Sequence, residues 1–259
     1  MSKCLLFVIL CFILNQLNAQ EKVLPAEAKP FVLKGYEMLD YVTGDLNADG
    51  KADAILILKV TGEDTATEDV KRPMFLLIRK PDGKLKLEKR NDSAIMCRSC
   101  GGVFGDPYEG LSIENNGFSI DFYGGSNWRW YYHYYFTYKP ATKNWMLVKE
   151  ENGSFQSTDP EKDTEDATID ATELGDVTFE KFNSSPEYVE AEWKVTAAKT
   201  FFYNNPKLGS KPRKGYLLKG DIASQIRELQ NFVQVSFKSS NDKYIHGYIL
   251  KKDLVKVTK

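Results

Sequence analysis

The chain has 259 residues, with 35 basic and 36 acidic side chains, a formal net charge of −1 and 42% apolar residues. Charge balance of this kind excludes the strong positive field that nucleic-acid backbones select, so no nucleic-acid partner is expected. The length allows one large domain or two modest ones.

The amino end, "MSKCLLFVILCFILNQLNAQ", places a lysine before an apolar run from Cys4 to Leu14, followed by a polar step to Ala19. This is the three-part pattern of a secretory signal peptide spanning residues 1–19, with cleavage after Ala19. The run is short for a membrane span. Leu10 stands where a lipoprotein signal would carry a small residue before Cys11. No later segment is apolar for long enough to cross a bilayer. The mature chain is therefore expected to be secreted, periplasmic or held in the cell envelope. Removal of the signal takes Cys4 and Cys11 with it.

Residues 24–38, "LPAEAKPFVLKGYEM", have loosely helical spacing, but Pro30 and Gly35 limit any helix to a turn or two. The stretch that follows, "GDLNADGKADAILIL" (residues 44–58), crowds oxygen-bearing side chains before an aliphatic run. With Asp45 as first position, Asn47 is third, Asp49 fifth, Lys51 seventh through its carbonyl, and Asp53 ninth; Gly50 occupies the turning position. Alternating oxygen ligands of this type suit a hard cation such as calcium. An EF-hand would need a bidentate glutamate at the twelfth position, which here is Leu56. The alternative is an Asx-rich turn that needs no metal. The stretch resembles the calcium loop of FG-GAP repeats, in which the loop runs directly into a strand. That resemblance implies metal roles for Asp45, Asn47, Asp49, Asp53 and the Lys51 carbonyl, and a structural calcium ion held at roughly 0.1–1 mM. No second repeat follows, so the resemblance does not extend to a full propeller.

To about residue 148 the pattern is that of strands. "DAILILKV" and "MFLLIRK" are rich in β-branched and aromatic residues, and "KPDGK" provides a turn before "LKLEK". "LSIENNGFSIDFY" repeats the hairpin logic around Asn115-Asn116-Gly117, and "WRWYYHYYFTYKPATKNWMLVK" does so around residues 140–144. With no long helical pattern between strands, the expected fold class is mainly β, with an antiparallel-sheet N-terminal domain. "CRSC" carries Cys97 and Cys100. Only His133 and His246 could join them on zinc, and a strand–helix context for a redox dithiol is lacking. A disulfide closing a small ring is the plainer reading, with Gly101 and Gly102 easing the backbone, and redox activity is the alternative.

Alternation along "NWRWYYHYYFTY" separates Trp128, Trp130, Tyr132, Tyr134, Phe136 and Tyr138, read as a core face, from Arg129, Tyr131, His133, Tyr135 and Thr137. Arg129, Tyr131, His133 and Tyr135 form a candidate ligand face for sugars, peptides or another protein. The alternative is cross-strand pairing on a half-exposed sheet. His133 is also a candidate general base, with Asp106, Glu109 or Asp121 as partner, although spacing does not force them together and no catalytic constellation is assigned. The region from "RPMFLLI" through "CRSCGG" and "GDP" to "GGSNWRW" also resembles exported bacterial proteins that bring no established activity.

Residues 150–176 are dense in carboxylates and read as a loosely packed acidic segment closing a domain of residues 20–182. "NSSPEYVEAE", residues 183–192, reads as a linker. Beyond it, "TAAKTFFYNNP", "YLLKGDIASQI", "NFVQVSF" and "HGYILKKDLV" give short strands at close intervals. Residues 193–259 resemble a bacterial SH3-type domain. That family implies a small SH3-like β-barrel that binds a peptide or a cell-wall polymer, with Tyr203, Tyr216 and Tyr248 as contact candidates beside Phe201 and Phe202. The expected function is a non-enzymatic envelope binding protein. An enzyme acting on an extracytoplasmic polymer, targeted by the SH3-like module, is the alternative.

Overall fold

The computed structural model describes residues 23–65, 70–114, 116–159, 165–185 and 191–257. The expected signal peptide lies outside them, as does half of the expected linker, residues 186–190. The chain is mainly β, built from antiparallel sheets. After a 3-10 turn at Lys29–Phe31, a first sheet is formed by β1 (Tyr36–Gly44), β2 (Asp53–Val60), β3 (Met74–Arg79) and β4 (Leu85–Asn91), in chain order. A second contains β5 (Tyr108–Glu114), β6 (Gly117–Gly125), β7 (Trp128–Lys139), β8 (Asn144–Gln156) and β9 (Glu165–Asp170), again in order. Short connections make such meanders the cheapest way to pair neighbouring strands.

β2 is apolar from Ala54 to Leu58 because both of its faces are covered there. Ile55 and Ile57 join Met74, Leu76, Phe118, Ile120, Phe136 and Trp145 between the sheets. Ala54, Leu56 and Leu58 pack on the other side with Phe75, Leu77, Phe31 and Leu33, the last two from the N-terminal segment. Arg72, just before β3, binds Glu63 and Asp106 and so ties the connection after β2 to the entrance of β5.

The described part of the acidic segment is not loose. Its described residues form the end of β8, β9 and a short helix α1 (Ala171–Leu174), started by Asp170, whose Oδ1 accepts from Thr172 N at 3.0 Å. Glu150 and Glu173 are buried, at 0% and 2% exposure. Each is matched by the far end of the chain. Arg227 Nη1 donates to both Glu150 oxygens at 2.6 and 2.7 Å, and Asn231 donates through N and Nδ2 to Glu173, each at 2.9 Å. Partners so remote are invisible to a local count of charge.

The C-terminal strands are β10 (Glu192–Val195), β11 (Lys199–Phe201), β12 (Tyr216–Leu218), β13 (Ile222–Glu228), β14 (Phe232–Lys238), β15 (Tyr244–Leu250) and β16 (Leu254–Val257). They form a five-stranded sheet in the order β15-β14-β13-β10-β16 and a separate β11-β12 ribbon. The expected small barrel does not close, because no ladder joins β15 to β16. The outer edge of β15 is instead occupied by Tyr203, which exchanges two backbone hydrogen bonds with Tyr248 at 2.8 and 3.1 Å. Trp193, Val195, Phe202, Leu217, Val233, Val235 and Ile249 fill this unit. Ala167 and Ile169 of β9 meet Leu229, Phe232 and Tyr248 in a cluster that joins it to the second sheet.

Candidate functional site

The loop between β1 and β2 wraps its own carboxylates. Asp45 Oδ1 accepts from Asn47 N and Asp49 N, both at 3.2 Å, while its Oδ2 accepts from Gly50 N at 2.8 Å. Asn47 Oδ1 accepts from Asp49 N at 3.0 Å. Gly50, at φ +78°, takes the left-handed turn that the sequence assigned to it. Asp53 is fully buried and receives Leu46 N at 3.0 Å and Arg79 N at 2.8 Å, pinning the loop to β3. Leu46, between the first two acidic positions, plugs the main core, and its carbonyl accepts from Trp145 Nε1 at 2.8 Å. The loop is thus fastened to both sheets.

Carboxylate oxygens of Asp45, Asp49 and Asp53 come within 4.8 Å of one another. Burial pushes the Asp53 carboxyl up, against its two backbone donors. Asp49 is held below its ordinary value. Slight burial opposes this, but the Lys51 backbone N–H at 2.9 Å and the Lys51 ammonium at 3.1 Å outweigh it. A carboxylate has about four lone-pair sites, so these backbone bonds leave acceptor capacity for a cation. The donor set is hard oxygen, of a kind that could hold a metal ion.

Cys97 and Cys100 are bonded (S–S 2.05 Å) across a 3-10 turn at Arg98–Gly101. Gly102 follows at φ +69°, and a Cβ there would stand 2.8 Å from the Gly125 carbonyl. Only glycine lets this ring dock on the end of β6.

On the outward face of β7, Tyr131, His133 and Tyr135 are spent on pairs within the protein. Tyr131 Oη donates to Asp166 at 2.8 Å, Tyr135 Oη donates to Glu151 at 2.7 Å, and His133 Nδ1 lies 2.8 Å from Asp121 Oδ1. Burial followed by these acidic neighbours pushes both Tyr131 and Tyr135 up to about 12, so each stays a donor. Arg129 lies over the Phe104 ring, 4.0 Å from its centroid. Of the three carboxylates considered for His133, the fold brings up Asp121. Asp106 is committed to Arg72, and Glu109 is exposed on β5.

The inward face of β7 does more than fill a core. Tyr134 and Phe136 are buried between the sheets, whereas Trp128 is 49% exposed and Trp130 and Tyr132 are half-buried. The last three line a trough between the second sheet and the C-terminal unit. Trp130 crosses Gly124, where a Cβ would stand 2.5 Å from the indole. On the opposite face Tyr131 crosses Gly153 in the same way, again at 2.5 Å. β8 completes the wall through a bulge. Tyr135 pairs with Lys149 but Phe136 pairs with Leu147, so Val148 is an extra residue. One extra residue exchanges the faces of everything beyond it. Lys149 and Glu151 therefore turn outward to Tyr135, and Glu150, Asn152 and Ser154 turn to the trough.

The trough consists of two adjoining cavities of about 710 and 780 Å³ that share Trp130, Tyr132, Asn152, Ile226 and Gln234. Asn204, Asn205 and His246 enter the first, and Cys100 and the Arg227–Glu150 pair flank the second. No family model, curated protein or solved structure matches the chain. The functional reading accordingly rests on the residues themselves.

Among the C-terminal candidates, Tyr248 lines the first cavity and Tyr203 is its backbone partner, stacked edge-on against Phe232. Tyr216 is 49% exposed on β12, with Lys199 Nζ 3.7 Å from its ring centre, and takes no part in the trough. Sequence reasoning missed the trough's amides and its aromatic wall. The Gly124 and Gly153 positions beside so many aromatic residues were the available signal.

Proposed function

We propose that this chain is an exported, non-enzymatic binding protein of the cell envelope, stiffened by calcium at Asp45, Asn47, Asp49, the Lys51 carbonyl and Asp53. In this reading the loop acts as an FG-GAP-type clamp, and the C-terminal unit is a bacterial SH3-type module that contributes one wall of the ligand site. The ligand, a peptide or a cell-wall polymer, lies in the trough. The observation that carries the reading is that the second sheet supplies half-exposed aromatic side chains and the C-terminal unit supplies amides to one concave surface, as expected of a binding site rather than of a sealed core.

Co-sedimentation of the mature protein with purified peptidoglycan sacculi, in calcium and in chelator, is the test. Retention that is saturable and stronger in calcium is expected. Absence of sedimentation with sacculi, together with absence of binding to their stem peptides, would exclude the reading.

A further inference from the structure

We infer that the trough is a site for a neutral oligosaccharide. This names a ligand class for the binding reading above and rests on it. Trp128, Trp130 and Tyr132 occupy alternate positions on one face of β7 and form an aromatic row along the cavity. Trp130 is held across Gly124, so its plane is fixed before any ligand arrives. Fixed aromatic faces suit the C–H faces of sugar rings, because the ring face is electron-rich and apolar.

The other walls are rich in amides whose orientation is already set. Asn152 gives Nδ2 to Glu150 at 2.9 Å, Asn205 Oδ1 accepts from Thr168 N at 3.0 Å, and Asn204 Oδ1 accepts from Arg213 Nε. Among the described residues, the remaining end of each amide, and the whole Gln234 amide, has no protein partner. Amide groups both donate and accept, which matches hydroxyls and acetamido groups. The two ionised side chains that line the first cavity, Asp166 and Arg213, are opposite in sign, and each is oriented by a neutral partner. Asp166 accepts from Tyr131, and Arg213 Nη1 is given to the His246 carbonyl at 2.6 Å. One charge of each sign leaves the first cavity without a net charge to select an ionic ligand, and a polyhydroxylated neutral one finds a ready set of partners.

Behind this wall, Tyr248 is 3% exposed and its hydroxyl has no hydrogen-bond partner among the described residues, although the Asn152 amide approaches it. An orphaned buried hydroxyl is costly, and such groups occur where something further completes a structure. The cavity of about 710 Å³ is in the range of small-ligand clefts.

The test uses tryptophan fluorescence and calorimetry of the mature protein with chitotetraose, cellotetraose and maltotetraose, each to about 10 mM. Of the four tryptophans, Trp145 and Trp193 are buried at 1% and 5% exposure, so a ligand-dependent signal reports Trp128 and Trp130. Saturable binding of at least one glycan is expected. Trp130→Ala and Gln234→Ala should each weaken it by about tenfold or more. Gln234→Ala serves as the second probe should Trp130→Ala fail to fold. No saturable signal with any of the three glycans, or unchanged affinity in a folded variant, overturns the inference. Sacculi and stem peptide separate it from the broader reading. Release from sacculi by stem peptide but not by glycans leaves the binding reading standing and removes the oligosaccharide. Glycan binding without retention on sacculi does the reverse.

Discussion

Arg72 is the sharpest place to test how the N-terminal sheets are joined. Its side chain is 1% exposed, and a guanidinium has about five N–H donors to place. Nε and Nη2 go to Glu63 at 2.8 and 2.7 Å, Nη1 and Nη2 to Asp106 at 2.8 and 2.6 Å, and Nη1 also reaches the Met96 carbonyl at 3.3 Å. Burial works against the charge, but the hydrogen bonds of Glu63 and then Asp106 outweigh it and keep Arg72 protonated. Arg72→Met leaves the Glu63 carboxylate, 2% exposed, charged and without its cation. Removing one partner of such a pair costs about 3–5 kcal/mol. At roughly 2–4 °C per kcal/mol for a chain of this size, the midpoint should fall by about 6–20 °C. Arg72→Met with Glu63→Leu removes the stranded charge as well, and Asp106, 35% exposed, can then be hydrated. The double variant should recover most of the loss. Thermal and urea unfolding followed by circular dichroism measure both. A single variant within about 2 °C of the parent, or a double variant no better than the single, would refute the argument that charge balance holds this junction.

Calcium at about 10 mM should stabilise the mature protein by about 1.4–2.7 kcal/mol if the site binds at roughly 0.1–1 mM, and Asp49→Ala should abolish the difference between calcium and chelator in the same melts. Reduction of Cys97–Cys100, which are three positions apart, should cost no more than about 2 kcal/mol, because so short a ring removes little chain entropy; melts with and without phosphine, alongside thiol titration, check this. Glu228 is held below its ordinary value of 4.5, chiefly by Lys251 and with help from Lys256, at 2.6 and 3.1 Å. A depressed carboxylate stabilises the fold above its ordinary value and loses that contribution as pH falls through its folded value. Urea midpoints should therefore be flat from about pH 7 to 5 and fall below about 4.5, with a shallower fall in Glu228→Gln.

Much of the fold was legible where local rules suffice. Alternating and apolar runs located β2, β3, β6 and β7, and the turn residues near 80–84 and 140–143 set their pairings, because short hairpins are decided by a few adjacent residues. The oxygen-rich loop was legible for the same reason: all of its internal bonds span seven residues or fewer. The acidic segment was misjudged because Glu150 finds Arg227 77 positions away and Glu173 finds Asn231 at a separation of 58. The trough's β8 wall was not legible because one inserted residue at Val148 exchanges the two sides of β8. No side chain near it signals a bulge.

That exchange links local structure to function. Had β8 continued in regular alternation beyond Leu147, Lys149 and Glu151 would have pointed toward the C-terminal unit, and Glu150 would have pointed away from Arg227. The bulge places a single carboxylate, fully buried, where the guanidinium of β13 can meet it with two short hydrogen bonds. Burial opposes the charge on Arg227, and Glu150 more than restores it. A pair of this kind adds little net stability over an apolar contact but is strongly selective for its partner. It therefore fixes how the C-terminal unit sits on the second sheet. The trough exists because that seating is set at one side by an ion pair and at the other by the Ile169–Phe232–Tyr248 cluster, with Trp130 and Tyr132 spanning the gap between them.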